Sequence, residues 1–493
     1  MQEYTTLAAI DLGSNSFHLQ VGRVEGEQLF YLDSLKEPVR LAGGLTADKR
    51  LDEASQQRAL DCLARFGERL QGMPSGAVRA VGTSALRVAK NAPAFLDKAR
   101  QALGFEIEIV AGREEARLIY LGVAHSLPLD EAPRLVVDIG GGSTECIIGK
   151  GYEPRERESL RMGCVVFTNR FFADGKLDKV AWKAAETAAR VEAHAVAGQF
   201  HRSRWEHAVG SSGTAKALAE ICLQNGQSDG AITLDGLKWL RDRLVKAGSL
   251  ERLEVDGLKA DRRPVIAGGA AVMYALFQEL GIQEMAAAQG AMREGILWDL
   301  LGRVHDHDMR DLTVTQFMRR YHVEGRQARR VERLATRLYR SLDSAASPDA
   351  LRYLTWAAKL HEVGISIAHS GYHKHGAYIL ENADMPGFSR RDQVRLASLV
   401  RTSRGGLGKV ALSDDDALWP MILCLRLSVL FHQARSPVEL PVMRLRCEDG
   451  HCVLRLSAAW LAANPLTQTA LQEEVAMWQD VRPAVRLAAV RAV

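Results

Sequence analysis

Apolar and polar positions alternate in blocks that divide the chain. The run "LAAIDLG" (7–13) reads as a strand ending on an acid, and "FHLQVGRV" (17–24) as a second strand after a short turn. Leu51–Leu70 has helical spacing, Val78–Gly82 is a short apolar strand, and Ile107–Val110 is another. The helical pattern "GREEARLIYLGVAHSL" (112–127) comes next. Past the Pro-containing acidic connection "SLPLDEAPR" (126–134), the series restarts with "LVVDIGGGSTECIIGK" (135–150), again strand, turn, strand. Strands alternating with long helices predict an α/β half with a partly parallel sheet. From about His305 glycine turns become sparse and Arg-rich helical stretches dominate, which places a boundary at "VHDHDMRD" (304–311) and a mostly α-helical part after it. Strand-like runs return in "VMRLRCEDGHCVLRLSA" (442–458), where Asp449-Gly450 suits a hairpin turn. Four domains are expected: 1–126, 127–303, a helical 304–435, and a small C-terminal α+β domain over 436–493.

Composition narrows this picture only slightly. With 493 residues the chain exceeds one ordinary core. A hydrophobic content of 47% and a charged content of 25% suit a soluble globular protein, and a net charge of +4 says little alone. The seven cysteines are scattered, with no CxxC pair, which argues for a reducing compartment and against a thiolate zinc site. The N-terminus reaches Asp11 before a signal-peptide core could form, and the longest apolar run, Ala417–Phe431, carries Pro420 and Arg426. A cytoplasmic protein without a membrane span is expected; attachment at the inner face of the cell membrane stays open.

The chemistry lies in a repetition. "AAIDLGSNS" (8–16) and "VVDIGGGST" (136–144) are each an apolar run, an Asp, a Gly and then small polar residues. One such turn is ordinary; two matched copies suggest like subdomains facing a cleft. Glycines let backbone approach a bound group, and successive N–H groups form an anion nest. Asp11 and Asp138 would repel phosphate unless a divalent cation lay between, because hard cations take carboxylate oxygens and bridge phosphate oxygens. A third stretch, "AVGSSGTAKALAE" (208–220), puts Ser212, Gly213 and Thr214 at a helix start, either as an anion site or as a simple cap by Ser212 or Thr214.

On a helical wheel at ~100° per residue, Leu118, Ile119, Gly122 and Val123 share the face of Glu115, whereas Glu114 points elsewhere, toward solvent. An ionised carboxylate on an apolar face is costly unless paired. Glu115 is thus either a general base at a cleft edge or half of a buried ion pair. Arg87, just after a strand, is either a fork for phosphate oxygens or a solvated surface arginine.

"AAIDLGSNSFHL", "VGTSALRVAKNA", "AGREEARLIYLGVAH", "VVDIGGGSTE", "RMGCV" (161–165) and "VGSSGTAKAL" together resemble the exopolyphosphatase and guanosine-pentaphosphate phosphatase family, in order and spacing, over residues 4–300. The resemblance implies two ribonuclease-H-like domains, of the actin, Hsp70 and sugar-kinase type, around a phosphate-binding cleft. It implies Glu115 as catalytic base, Asp138 and Glu145 (with Asp11) as the acids that hold Mg2+ and the attacking water, and Ser14, Asn15, Arg87, Gly141, Gly142 and Ser143 as holders of the terminal phosphates. A monovalent cation such as K+ and a homodimer through the helical half also belong to the family's pattern.

The second half marks the long form of that family. "WAAKLHEVGISIAHSGYHKHGAYILENADMPGF" (356–388) resembles the helical HD-like domain of long exopolyphosphatases, with His361-Glu362 where HD hydrolases have His-Asp. His369, His373, Lys374 and His375 read as a cationic cluster for substrate, or as a loop with surface histidines or a degenerate metal site. Arginines crowd 319–340 and 390–404, either as solvated faces or as a lining for a polyanion. The expectation is a processive exopolyphosphatase acting on inorganic polyphosphate. The alternatives are a phosphatase of guanosine-5'-triphosphate,3'-diphosphate (pppGpp) and a non-catalytic polyanion-binding regulator. No nucleic-acid partner is expected.

Overall fold

The computed structural model describes residues 4–26, 28–128, 131–173, 175–304, 308–342, 347–407, 418–435, 437, 439–448, 450–479 and 486–492. Two compact units divide the chain, 1–309 and 310–493.

The first unit contains two sheets of one plan. Strands β1 (Thr6–Leu12), β2 (Phe17–Glu25), β3 (Gln28–Glu37), β4 (Val78–Gly82) and β5 (Ile107–Ile109) lie in the order β3-β2-β1-β4-β5. The first three are antiparallel, and β4 and β5 run parallel to β1. Strands β6 (Arg134–Ile139), β7 (Thr144–Lys150), β8 (Glu153–Leu160), β10 (His207–Ser211) and β13 (Glu284–Ala287) repeat this as β13-β10-β6-β7-β8, with β11 (Ile232–Thr233) added at the edge. Here too the meander is antiparallel and β10 and β13 run parallel to the central β6. The ribbon of β9 (Lys176–Leu177) and β12 (Gly248–Ser249) stands apart. The fold is therefore the duplicated ribonuclease-H-like one. The first two strands of each meander are those expected from the sequence; β3 is not, and its apolar residues Phe30, Tyr31 and Leu32 are exposed rather than alternating into a core.

Central strands explain the motif acids. β6 is buried along its whole length, so its Val-rich run is a strand covered on both faces. Asp11 and Asp138 fall at the ends of β1 and β6, the strands where each meander meets the parallel part of its sheet. Each chain then turns back into the next strand.

Two helices pack backbone to backbone. A Cβ on Gly122 would sit 1.9 Å from Ala291 O, and one on Gly295 would sit 1.8 Å from Leu118 O. Only glycine permits this crossing of the Gly112–His125 and Met292–Val304 helices. The crossing buries more than the wheel predicts. Glu114 does not reach solvent: it is buried and holds Arg117 with two hydrogen bonds (2.8 and 2.9 Å), because the second helix covers that face.

The second unit is built from helices Met309–Arg320, Gly325–Leu342, Pro348–Leu360, Tyr372–Asn382, Arg390–Thr402 and Leu418–Phe431. The last is buried along its length, with Pro420 in its first turn, and Arg426 is bonded to Glu474. The hairpin of β14 (Arg444–Glu448) and β15 (His451–Leu456), joined by parallel β16 (Arg486–Ala492), forms the expected C-terminal sheet. Its Leu445, Cys452 and Leu454 share one apolar core with the helices. Asp449 lies outside the described residues; Gly450 takes φ +76°. The hairpin register also brings two of the scattered cysteines together. It sets Cys447 opposite Cys452, and the two form a disulfide, while Cys62, Cys146, Cys164, Cys222 and Cys424 are free and buried. No helix among the described residues is long and apolar enough to cross a membrane.

Candidate functional site

The two matched turns face each other. A Cβ on Gly141 would lie 3.0 Å from Ser14 Cβ and 3.1 Å from Asn15 N, and one on Gly142 would lie 2.8 Å from Ser84 Oγ. Glycine is needed at both positions for the turns to close on each other. Ser14 is buried and its Oγ accepts from Ala85 N (3.2 Å), which ties the first turn to the segment carrying Arg87. The turns line a cavity of about 300 Å³ together with Asp11, Glu115, Asp138, Ser143 and Thr214.

Glu115 stands in this cavity, and the ion pair that the sequence leaves open is present. Arg87 Nη1 donates to Glu115 Oε2 (2.6 Å) and to Val110 O (2.9 Å). The predicted base and a predicted phosphate ligand therefore hold each other. Arg87 is not a surface arginine; its side chain is 21% exposed.

Asp11, Asp138 and Glu145 have displaced proton affinities. Burial, reinforced by the Glu115 charge, pushes Asp11 up to about 8. Burial raises Asp138 to about 6, against the hydroxyl of Ser211. Glu145 also rises, through burial and the charges of Glu115 and Asp138, although Ser159 donates to its Oε1 (2.7 Å). Asp11 Oδ1 and Glu145 Oε2 are buried without a hydrogen-bond partner among the described residues.

At the start of the Ser212–Gln224 helix the capping expectation needs correction. The N-cap is Ser211, and no side chain caps it. Ser212 and Thr214 instead donate to Ile139 O, both at 3.0 Å, which pins this helix start to the end of β6. Ser212 takes φ +73°, a left-handed conformation that costs a non-glycine residue of order 1 kcal/mol and recurs at functional sites. Gly213 lies against the Arg262 guanidinium: a Cβ there would be 2.3 Å from its Cζ.

A set of cations not expected from the sequence lines the same cavity: Lys36, Lys216, Arg262 and Arg293, with the His18 ring between them. Burial and the neighbouring Arg293 and Lys36 hold His18 down to about 3, so it is neutral. Burial also lowers Lys36 and Lys216. Lys216 is legible in the sequence: it lies three residues beyond Gly213, on the same helix face. Lys36 sits on the unpredicted β3, and Arg293 comes from a distant helix. The cavity thus combines acids, cations and glycine turns in one space.

His369, His373, Lys374 and His375 belong to the second unit. His369 and Lys374 are exposed, whereas His373 is not a cation: burial, with Lys374 and Arg404 beside it, lowers it to about 4. Glu362 is taken by Arg435, and the buried His361 has no hydrogen-bond partner at Nε2 among the described residues.

Residues 21–304 match the Ppx/GppA phosphatase family, and residues 309–475 match Ppx/GppA phosphatase, domain III. A guanosine-5'-triphosphate,3'-diphosphate pyrophosphatase of Photobacterium profundum is 39% identical over 480 residues, 96% of each chain. The crystal structure of an exopolyphosphatase from Cytophaga hutchinsonii is similar with a TM-score of 0.55 and 26% identity, over 60% of this chain and 98% of that one. The Aquifex aeolicus member of the Ppx/GppA family is similar with a TM-score of 0.51 and 26% identity, over 61% and 98%.

Proposed function

Since the chain belongs to the Ppx/GppA phosphatase family, we propose that it hydrolyses the terminal phosphoanhydride bond of pppGpp. The observation that carries this choice is the 39% identity, across 96% of both chains, to a protein named for that activity. The preference for polyphosphate drawn from the sequence rests on the second half, and this relative matches nearly the whole chain, second half included.

Glycine turns 13–16 and 140–143 enclose the terminal phosphate and present backbone N–H groups to it. Arg87, released from Glu115, forks onto its oxygens. Glu115 takes the proton of a water that attacks in line, and Lys36, Lys216, Arg262 and Arg293 receive the charge spread toward the leaving chain.

The residues fit a divalent cation. Two buried carboxylate oxygens, Asp11 Oδ1 and Glu145 Oε2, lack partners among the described residues. No three acids among the described residues converge as a closed ligand cage, and Mg2+ characteristically takes one or two carboxylates and completes its shell with water and phosphate oxygens. Asp11 and Glu145 would hold it, with Asp138 beside them, and it would supply positive charge to the terminal phosphate. A raised carboxyl supports the folded state below its unfolded value and loses that support as pH rises through its folded value. The metal-free protein is therefore expected to lose stability between about pH 4 and about pH 8. Mg2+ binds the deprotonated acids, so its stabilising shift in Tm is expected to be larger at ~pH 8.5 than at ~pH 6 by calorimetry. Equal shifts would remove Asp11 from the metal site.

A second reading, polyphosphate, is favoured by one feature of the second unit. Arg326, Arg329, Arg333, Arg337 and Arg340 are all exposed, along one face of the Gly325–Leu342 helix whose other face packs Val331, Leu334 and Leu338. Such a stripe suits a long polyanion. Initial rates of phosphate release from pppGpp and from long-chain polyphosphate, with Mg2+, separate the two. The proposal expects the higher kcat/KM for pppGpp; the reverse order overturns it.

A further inference from the structure

One polar row crosses four adjacent strands of the second sheet. The registers pair Ser211 on β10 with Asp138 on β6, Asp138 with Glu145 on β7, and Glu145 with Ser159 on β8. Residues directly opposite on neighbouring strands share a face of the sheet and stand ~5 Å apart. The row therefore runs hydroxyl, acid, acid, hydroxyl, with no apolar residue between. The corresponding row of the first sheet reads Val81, Asp11, His18 and Lys36, on β4, β1, β2 and β3. Only the central aspartate repeats. Where the second half places a carboxylate and a hydroxyl, the first places an imidazole and an ammonium. Two acids side by side on adjacent strands repel unless a cation joins them, and this pair belongs to the second half alone.

The end of the row fixes its outer acid. Glu145 is fully buried. Its Oε1 accepts from the Ser159 hydroxyl at 2.7 Å, and its Oε2 is buried with no partner among the described residues. The hydrogen bond thus settles which oxygen is left open. Ser159 has little room to withdraw it, because the start of the Gly112–His125 helix closes over the serine. A Cβ on Gly112 would lie 2.5 Å from Ser159 Cβ and 2.6 Å from its Oγ. Holding one carboxylate oxygen so that the other points at an ion is how outer-shell partners raise metal affinity.

We propose that Ser159 is a positioning residue for the divalent cation, its hydroxyl holding Glu145 Oε1 so that Oε2 stays open to the ion. Ser159 acts through Glu145 and touches neither ion nor phosphate. The inference deepens the proposed function and rests on its reading that Mg2+ binds at these acids.

The experiment measures Mg2+ binding to the full chain by calorimetry, without substrate, for wild type, Ser159→Ala, Ser159→Cys and Glu145→Gln. Loss of the hydroxyl is expected to weaken Mg2+ about 10- to 100-fold, the range for an outer-shell partner. Cysteine keeps the shape and offers only a weak donor, so it should show the same direction of loss even where the metal-free Tm reveals that the alanine variant has melted. In phosphate release, the Mg2+ concentration for half the maximal rate should rise by the same factor, and the deficit should shrink as Mg2+ is raised. A deficit that Mg2+ does not relieve would assign Ser159 to folding alone and overturn the proposal. Wild-type affinity in both serine variants, with affinity lost in Glu145→Gln, also overturns it and leaves the metal reading standing. Wild-type affinity in Glu145→Gln, or no Mg2+ binding by wild type, overturns the metal reading and this inference with it.

Discussion

Glu115→Gln is expected to lower phosphate release about 10³-fold, within the usual span of a general base, with pppGpp and polyphosphate alike. The amide keeps the size of the side chain and cannot take a proton from water. It also gives up the charge that holds Arg87 at 2.6 Å, so the guanidinium is freed for the phosphate and KM should not rise. A fall in kcat with KM unchanged or lowered would identify Glu115 as the base. A rise in KM with kcat preserved would show that it serves only to place Arg87. Tm reports separately on the loss of the partly buried pair, and a melted protein would be recognised by it.

Sequence made the site's acids legible because each sits where a local pattern changes. Asp11 and Asp138 end apolar runs at glycine turns, and Glu115 interrupts an apolar helix face. Such signals lie within a few residues. The pairing of Arg87 with Glu115 joins residues 28 apart through the β4 and β5 ends, and no periodicity encodes it. The cationic rim is harder still. Lys36 lies on a strand whose exposed residues show no apolar alternation, and Arg293 reaches the cavity only because Gly122 and Gly295 let two helices touch. Burial misled where a second helix intervened: Glu114 has a polar neighbourhood in sequence and a closed one in space. The repeated strand order was half visible, since the two motifs announce a duplication while the parallel additions of β10 and β13 depend on crossovers of dozens of residues.

The helix crossing that places Glu115 also carries the largest expected stability effect. Asp299 lies at the centre of a buried charge cluster. Arg79 Nη1 donates to its Oδ2 at 2.6 Å, Arg303 Nε reaches the same oxygen at 3.1 Å, and Arg117 donates to Oδ1. Arg117 also holds Glu114, and Arg79 holds Glu108. Against the upward push of burial, the Arg117 and Arg79 charges hold the Asp299 carboxyl well below its ordinary range. Asp299→Asn keeps the shape, removes the charge and turns an amide N–H₂ toward guanidinium groups that cannot accept. Arg79 and Arg117, 2% and 3% exposed at their side chains, then share too little negative charge. Breaking a buried pair in this way costs about 3–5 kcal/mol, to be read as a lowered denaturation midpoint of the first unit. A carboxyl depressed in the folded state contributes stability above its unfolded value and loses it as pH falls toward the folded one. The gap between wild type and variant is therefore expected to be full at neutral pH and to begin closing only below about pH 4. A gap already closing near about pH 6 would mean that the cluster is held by the raised acids of the cavity rather than by Asp299. Activity should fall with stability, because Asp299 and Arg293 share the Met292–Val304 helix and Arg117 shares the Gly112–His125 helix with Glu115. Loosening their crossing displaces the base and a rim cation together.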